Sequence, residues 1–271
     1  SPPWSPGRAS AASPSVWGRV DPDAATLRQV KDATFGRALR DALRANLGRH
    51  ERLTFDLDGR RHAAVAVVVV DSDADAHSAD HTSAPTAVLD AIPGAAGLGL
   101  TGSVAGTAGG PAVLLTRRAA RLRAHASQWA LPGGRVDDDE DVVAAARREL
   151  REELALELDE SAVLGLLDDY PTRSGYVITP VVLWGGADPD MHPNPEEVLS
   201  VHRVAFRELC RPDSPRFVSI AESDRPVVQV PIGGDLIHAP TGAVLLQFRR
   251  VAIEGVTERV ADYEQPVFAW R

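Results

Sequence analysis

The sequence has one cysteine, Cys210, one methionine and one lysine, Lys31, and aromatic residues make up only 5% of its 271 positions. A single cysteine excludes an intramolecular disulfide and any multi-cysteine zinc ribbon, and it suits a reducing compartment. Long hydrophobic runs are missing too. The longest, Ala63 to Val70, falls far short of the ~20 apolar residues that a membrane-spanning helix needs. No basic-then-apolar leader opens the sequence, so the expected location is cytoplasmic, with no membrane partner. Positive charge is in the minority, 29 Lys and Arg against 38 Asp and Glu for a net charge of -9. That balance disfavours non-specific nucleic-acid binding, and a polyanionic substrate would have to meet a local basic patch or a bound cation. The scarcity of lysine beside abundant arginine and alanine reads as genome composition.

What is present is ordinary for a globular chain: 44% hydrophobic and 25% charged residues, at a length that can bury a core unaided. Residues 1–20 are rich in Ser, Pro and Ala without a hydrophobic period, which predicts a flexible tail. From Ala24 to Leu47, Leu27, Val30, Phe35, Leu39, Leu43 and Leu47 recur at helical spacing, and Gly48 supplies a stop. Strands are expected at His62–Val70, Pro111–Thr116, Val163–Leu167, Tyr176–Trp184 and Val198–Ala205, with helices at Glu140–Leu154 and Thr241–Val251. The Asp-, Ser-, Ala- and Gly-rich stretch 71–110 predicts a disordered insertion. Its Asp71, Asp73, Asp75, His77, Asp80 and His81 have no fixed ligand spacing, and a solvated linker explains them better than a metal site. The expected architecture is one α/β domain over 21–271, with helices on both sides of a mixed sheet.

Chemistry concentrates between Gly133 and Leu156. On the expected helix Glu149, Glu152 and Glu153 stand at i, i+3 and i+4, so their carboxylates share one face. Val143, Ala146, Leu150 and Leu154 form the apolar stripe that pins this helix to the sheet. Clustered acids repel one another, a conflict that a divalent cation resolves, and such hard oxygen ligands suit Mg²⁺ or Mn²⁺. Gly133 and Gly134 just before them let the backbone come close to a ligand. A solvated Glu/Arg helix face is the plainer explanation, and the paired glycines weigh against it.

Gly134, Glu140, Arg148, Glu149, Leu150, Glu152, Glu153 and Leu156 resemble the Nudix box, Gly-x5-Glu-x7-Arg-Glu-U-x-Glu-Glu-x-Gly-U, with U a bulky aliphatic residue. The resemblance implies a Nudix-type α/β/α sandwich and a metal-dependent hydrolase that splits a diphosphate joining a nucleoside to a second group. It also implies Glu149, Glu152, Glu153 and the carbonyl of Gly133 as metal ligands, with Arg148 and Glu140 orienting the cluster through a salt bridge. For the general base it leaves Glu152 and a downstream loop acid, Glu196 or Glu197, as alternatives. Ala155 departs from the pattern: it stands where the box has its last glycine, and a left-handed alanine there costs about 1 kcal/mol.

The flank from Leu114 to Gly134 is similar to the signature of the coenzyme A diphosphatase branch, with Ser127 and Leu131 replacing its Gly and Phe. That resemblance implies coenzyme A or an acyl derivative as the small-molecule nucleotide substrate; ADP-ribose, NADH or another nucleotide is the alternative, as is a non-catalytic nucleotide-binding regulator. Arg117, Arg118, Arg121 and Arg123 concentrate positive charge that suits phosphates, and Trp129 is the candidate for stacking on adenine or for packing against the sheet. A homodimer is compatible with the sequence and not specified by it.

Overall fold

The structure, a computed structural model, describes residues 33–79, 89, 92–119 and 128–270. The expected tail over 1–20, the start of the first helix, Asp80, His81, Arg121 and Arg123 lie outside the described residues.

Among the described residues an eight-stranded mixed sheet forms the centre. Its strands are β1 (Arg61–Val70), β2 (Ala112–Arg118), β3 (Trp129–Ala130), β4 (Gly133–Arg135), β5 (Val163–Leu166), β6 (Tyr170–Pro171), β7 (Tyr176–Gly186) and β8 (Val198–Ala205). The main path runs β3-β2-β1-β7-β5, with β4 on β1, β6 on β7 and β8 on β2. β1 and β7 are parallel, pairing Arg61 with Tyr176 through to Val70 with Gly186, and β1 pairs with β2 and with β4 antiparallel.

β1 is apolar on both faces because both are covered. Val67 and Val69 point into a core shared with helix α1 (Arg37–Arg49) through Leu43 and Leu47. Ala64, Ala66, Val68 and Val70 point into a second core against a helix at Val142–Leu154 through Ala145, Ala146, Leu150 and Leu154. This is the expected α/β/α sandwich, with strand alternation dividing the side chains between two layers. No helix among the described residues is long and apolar enough to cross a membrane.

The described residues of the stretch 71–110, which are 71–79, 89 and 92–110, are packed where composition predicts a disordered insertion. The chain forms a short helix α2 (Ala74–His77), capped by the Asp73 carboxylate. Leu89, Ile92 and Ala95 are buried with Leu236, and Val104 and Ala108 are buried as well. The amides of Thr101 and Gly102 donate to the carbonyl of Gly234, and Gly234 donates back to Ser103. Composition misleads here because a few well-spaced apolar residues suffice once a second sheet receives them. That sheet was not expected from the sequence: β9 (Arg216–Ile220), β10 (Ser223–Ile232) and β11 (Asp235–His238) pair antiparallel in the order β11-β10-β9.

With the box helix labelled α3 (Val142–Leu154) and a short α4 at Phe206–Leu209, the last helix is α5 (Thr241–Gln247). It continues as one π-helical stretch, Phe248–Ile253. The buried Asp168 carboxylate ties these layers together, accepting from His50 at the end of α1, from Gln247 on α5 and from Arg259.

Candidate active site

The box helix is built from strong local signals. Asp141 caps α3, its Oδ1 accepting from the amides of Val143 at 2.9 Å and Ala144 at 2.8 Å, a contact worth about 1 kcal/mol. At the other end Ala155 is left-handed, with φ 52° and ψ 24°. The amides of Ala155 and Leu156 bond back to the carbonyls of Arg151 and Leu150. Alanine thus makes the turn that the box assigns to glycine, and the helix exit is kept at the price of local strain.

Arg148 occupies the middle of the acidic face. It donates to Glu140 Oε1 at 2.7 Å, Glu149 Oε1 at 2.9 Å, Glu152 Oε2 at 3.2 Å and the carbonyl of Arg135 at 2.8 Å. Hydrogen bonding to Glu140 raises the Arg148 pKa further above its ordinary value, and the same bond lowers that of Glu140. Glu149 is pushed up by burial, against the pull of Arg148. Glu153 lies deepest, 6% exposed. Burial raises it to about 7, while the Gly133 amide, donating at 3.3 Å, opposes the rise. The charge of Glu197 pushes both Glu149 and Glu153 upward, and that of Arg118 pulls Glu153 down.

The glycine turn faces this cluster directly: a Cβ on Gly134 would stand 2.2 Å from Glu149 Oε1. The loop carrying Glu196 and Glu197 hangs from the end of α3. The amides of His192 and Asn194 donate to the carbonyls of Leu154 and Glu153, each at 2.8 Å, satisfying acceptors that a helix end leaves open. The Asn194 side chain then accepts from the Glu196 amide. Asn194 was missed in the sequence, where Asn194-Pro195 was its one turn signal. The carbonyl of Glu197 accepts from Ala119 at 2.8 Å, which brings this loop beside Arg118 at the end of β2.

The neighbours of Arg118 differ from expectation. Arg117 is 2% exposed; its Nη2 donates to Asp235 Oδ2 at 3.1 Å and to the carbonyl of Gly102 at 2.7 Å. It is a buried ion-pair residue and not part of a substrate-facing patch, because the second sheet covers that side of β2. Trp129 is packed as well: the Arg117 guanidinium lies 4.2 Å from its ring centroid and His202 meets it edge-on at 4.9 Å. Its Nε1 donates to Asp235 Oδ2 at 2.8 Å, so Trp129 is packed against β2 and the second sheet, with Arg117 over one face of its ring. Asp235 carried no sequence signal, since 106 residues separate it from Trp129.

The donor set at α3, all carboxylate and carbonyl oxygen, fits a hard divalent cation in its chemistry. Two observations favour it: the like-charged Glu149 and Glu153, both pushed up by burial and by each other's neighbourhood of acids, and a turn whose missing Cβ leaves room beside Glu149. As placed, no three of the described His, Cys, Asp or Glu side chains converge to hold an ion, because Glu149 and Glu152 close on Arg148 instead.

Residues 102–224 match the NUDIX domain. Within that stretch the chain carries a NUDIX domain. Among curated relatives it is similar to a protein of Cronobacter sakazakii named uncharacterized Nudix hydrolase NudL, 43% identical over 104 residues, covering 37% of this chain and 53% of that protein. A protein of the same name from Photorhabdus laumondii is 37% identical over 112 residues, covering 41% of this chain and 60% of that one. The chain therefore spans little more than half the length of the curated relatives it matches. Among solved structures, a MutT/nudix family protein from Enterococcus faecalis is 15% identical, covering 83% of this chain and 71% of that chain, with a TM-score of 0.43.

Proposed function

We propose that the protein is a Nudix hydrolase that cleaves a nucleoside diphosphate joined to a second group, with Mg²⁺ or Mn²⁺ as cofactor. The carrying observation is the arrangement around Arg148, which holds Glu140, Glu149 and Glu152 together above the buried Glu153. Glu149, Glu152, Glu153 and the Gly133 carbonyl would hold the cation, which supplies charge neutralisation at phosphate oxygens and a lowered pKa for water. Arg148 and Glu140 keep α3 and the turn before it in register. Glu152, half-exposed, and Glu197, on its tethered loop, are the groups that can accept the proton of an attacking water.

Coenzyme A or an acyl derivative is the proposed substrate, giving adenosine 3′,5′-bisphosphate and 4′-phosphopantetheine. The flanking motif and Arg118, beside Glu197 and within electrostatic reach of Glu153, support it. The burial of Arg117 subtracts from the basic patch, and on that ground hydrolysis of ADP-ribose or NADH by the same residues is the second reading. An assay over coenzyme A, ADP-ribose, NADH and dinucleoside polyphosphates, with Mg²⁺, with Mn²⁺ and with chelator, decides between them. Cleavage of coenzyme A that stops in chelator is the expected result. Preference for ADP-ribose overturns the substrate, and turnover undiminished by chelator overturns the mechanism.

A further inference from the structure

The turn at Gly133 and Gly134 is held on its far side by β4, where Gly133 and Gly134 pair with Val65 and Ala64 of β1, but the chain enters it through very little regular structure. β3 has two residues, pairing only Trp129 with Arg117 and Ala130 with Thr116. Pro132 then accepts from the Ala66 amide at 2.8 Å and β4 begins on β1. A two-residue strand fixes its ends weakly, so side-chain ties govern how the chain enters the turn.

Those ties come from the C-terminal third of the chain. Asp235, at the start of β11 and 5% exposed, accepts at Oδ2 from both Trp129 Nε1 and Arg117 Nη2, at 2.8 and 3.1 Å. Its other oxygen accepts from the Leu236 amide at 2.7 Å. Arg117 in turn lies over the Trp129 ring, and the Thr241 hydroxyl, opening α5, reaches the Trp129 carbonyl at 3.4 Å. One buried carboxylate thereby joins an indole and a guanidinium that also contact each other, and its removal takes the acceptor from the indole N–H and the counter-charge from the guanidinium at once.

We propose that Asp235 is a positioning residue for the Gly133–Gly134 turn, acting through Trp129 and so tying the second sheet to the catalytic loop. The proposal deepens the hydrolase reading and rests on it for its kinetic consequence alone. A turn that must present a carbonyl beside a carboxylate cluster loses rate steeply when it drifts.

Hydrogen exchange and kinetics on Asp235→Ala, Asp235→Asn and Trp129→Phe in the full chain test it. Asp235→Ala is expected to raise exchange over 128–135 by about tenfold or more while leaving α3 as in the wild type. On whichever diphosphate the wild type cleaves, kcat should fall by about tenfold with KM within roughly twofold. Asp235→Asn, which keeps an acceptor for the indole, should recover part of both effects. Trp129→Phe, which keeps a ring beneath Arg117 and lacks the N–H, should reproduce the exchange change, and it carries the test if Asp235→Ala does not fold. Unchanged exchange over 128–135 in the folded variants, or a rise spread evenly over the chain, overturns the proposal. A wild type that cleaves no diphosphate overturns the hydrolase reading instead, and the exchange arm still decides the role of Asp235.

Discussion

Gly133 packs so tightly on β1 that a Cβ attached to it would meet the carbonyl oxygen of Ala64 at 2.4 Å and the Cα of Val65 at 2.7 Å. Both obstacles are backbone at the centre of the sheet and have no free direction in which to move. Gly133→Ala is therefore expected to destabilise the fold by about 1–3 kcal/mol, the usual range for overpacking. Thermal denaturation checks this, and a variant that melts with the wild type would mean that β4 can lift from β1 at no cost.

Glu152 is half-exposed and pairs with Arg148, so its charge matters to chemistry more than to folding. Glu152→Gln should lower kcat by on the order of 10²-fold or more with an unchanged melting temperature. Normal turnover would remove Glu152 from the site and leave Glu197 as the proton acceptor.

Arg117 and Arg118 are adjacent and should behave oppositely. Arg117→Ala leaves the buried Asp235 without its ion-pair partner and is expected to cost about 3–5 kcal/mol of stability. Arg118→Ala should leave the fold intact and weaken coenzyme A binding by about 1.5–3 kcal/mol, the value of a charge-assisted contact. Comparing coenzyme A with its dephospho form locates that contact. If the loss is confined to coenzyme A, Arg118 meets the 3′-phosphate; an equal loss on both assigns it to the diphosphate.

Burial of the His238 ring lowers its pKa from 6.5 to about 4. The unfolded chain then takes up a proton at a higher pH than the folded chain does. The stability this contributes is present above pH 6.5 and is lost as pH falls from there towards 4. Asp168 extends the loss further into acid. Burial alone would raise its pKa, but bonds from Leu53, Arg259 and His50 outweigh it and hold the carboxyl below its ordinary 3.8, so its contribution disappears as pH drops below that value. Urea denaturation at a series of pH values should show both windows, and His238→Gln should flatten the upper one. An unflattened slope would assign the upper window to another group.

The box helix was legible in the sequence because its determinants are local. The 3.6-residue spacing of Val143, Ala146, Leu150 and Leu154, the spacing of three glutamates and the paired glycines all act within one or two turns of chain. The structure places Leu150 and Leu154 in the core and gathers Glu149 and Glu152 around Arg148. β1 and the strands on either side of it were legible for the same reason, as apolar runs bounded by turn residues. Alternation along β2 is also a local rule, and it puts Arg117 and Arg118 on opposite faces. Which face is covered is not a local matter. It depends on β9, β10 and β11, on the segment 92–110 that packs beside them, and on Asp235 arriving from 106 residues downstream to meet Trp129. Periodicity reports that a side chain has a buried or an open side only when one layer lies against it. Here a second layer, assembled from β9, β10 and β11 and the glycine-rich segment 92–110, converts an arginine that looks like a phosphate contact into part of the core, and only the assembled chain decides that.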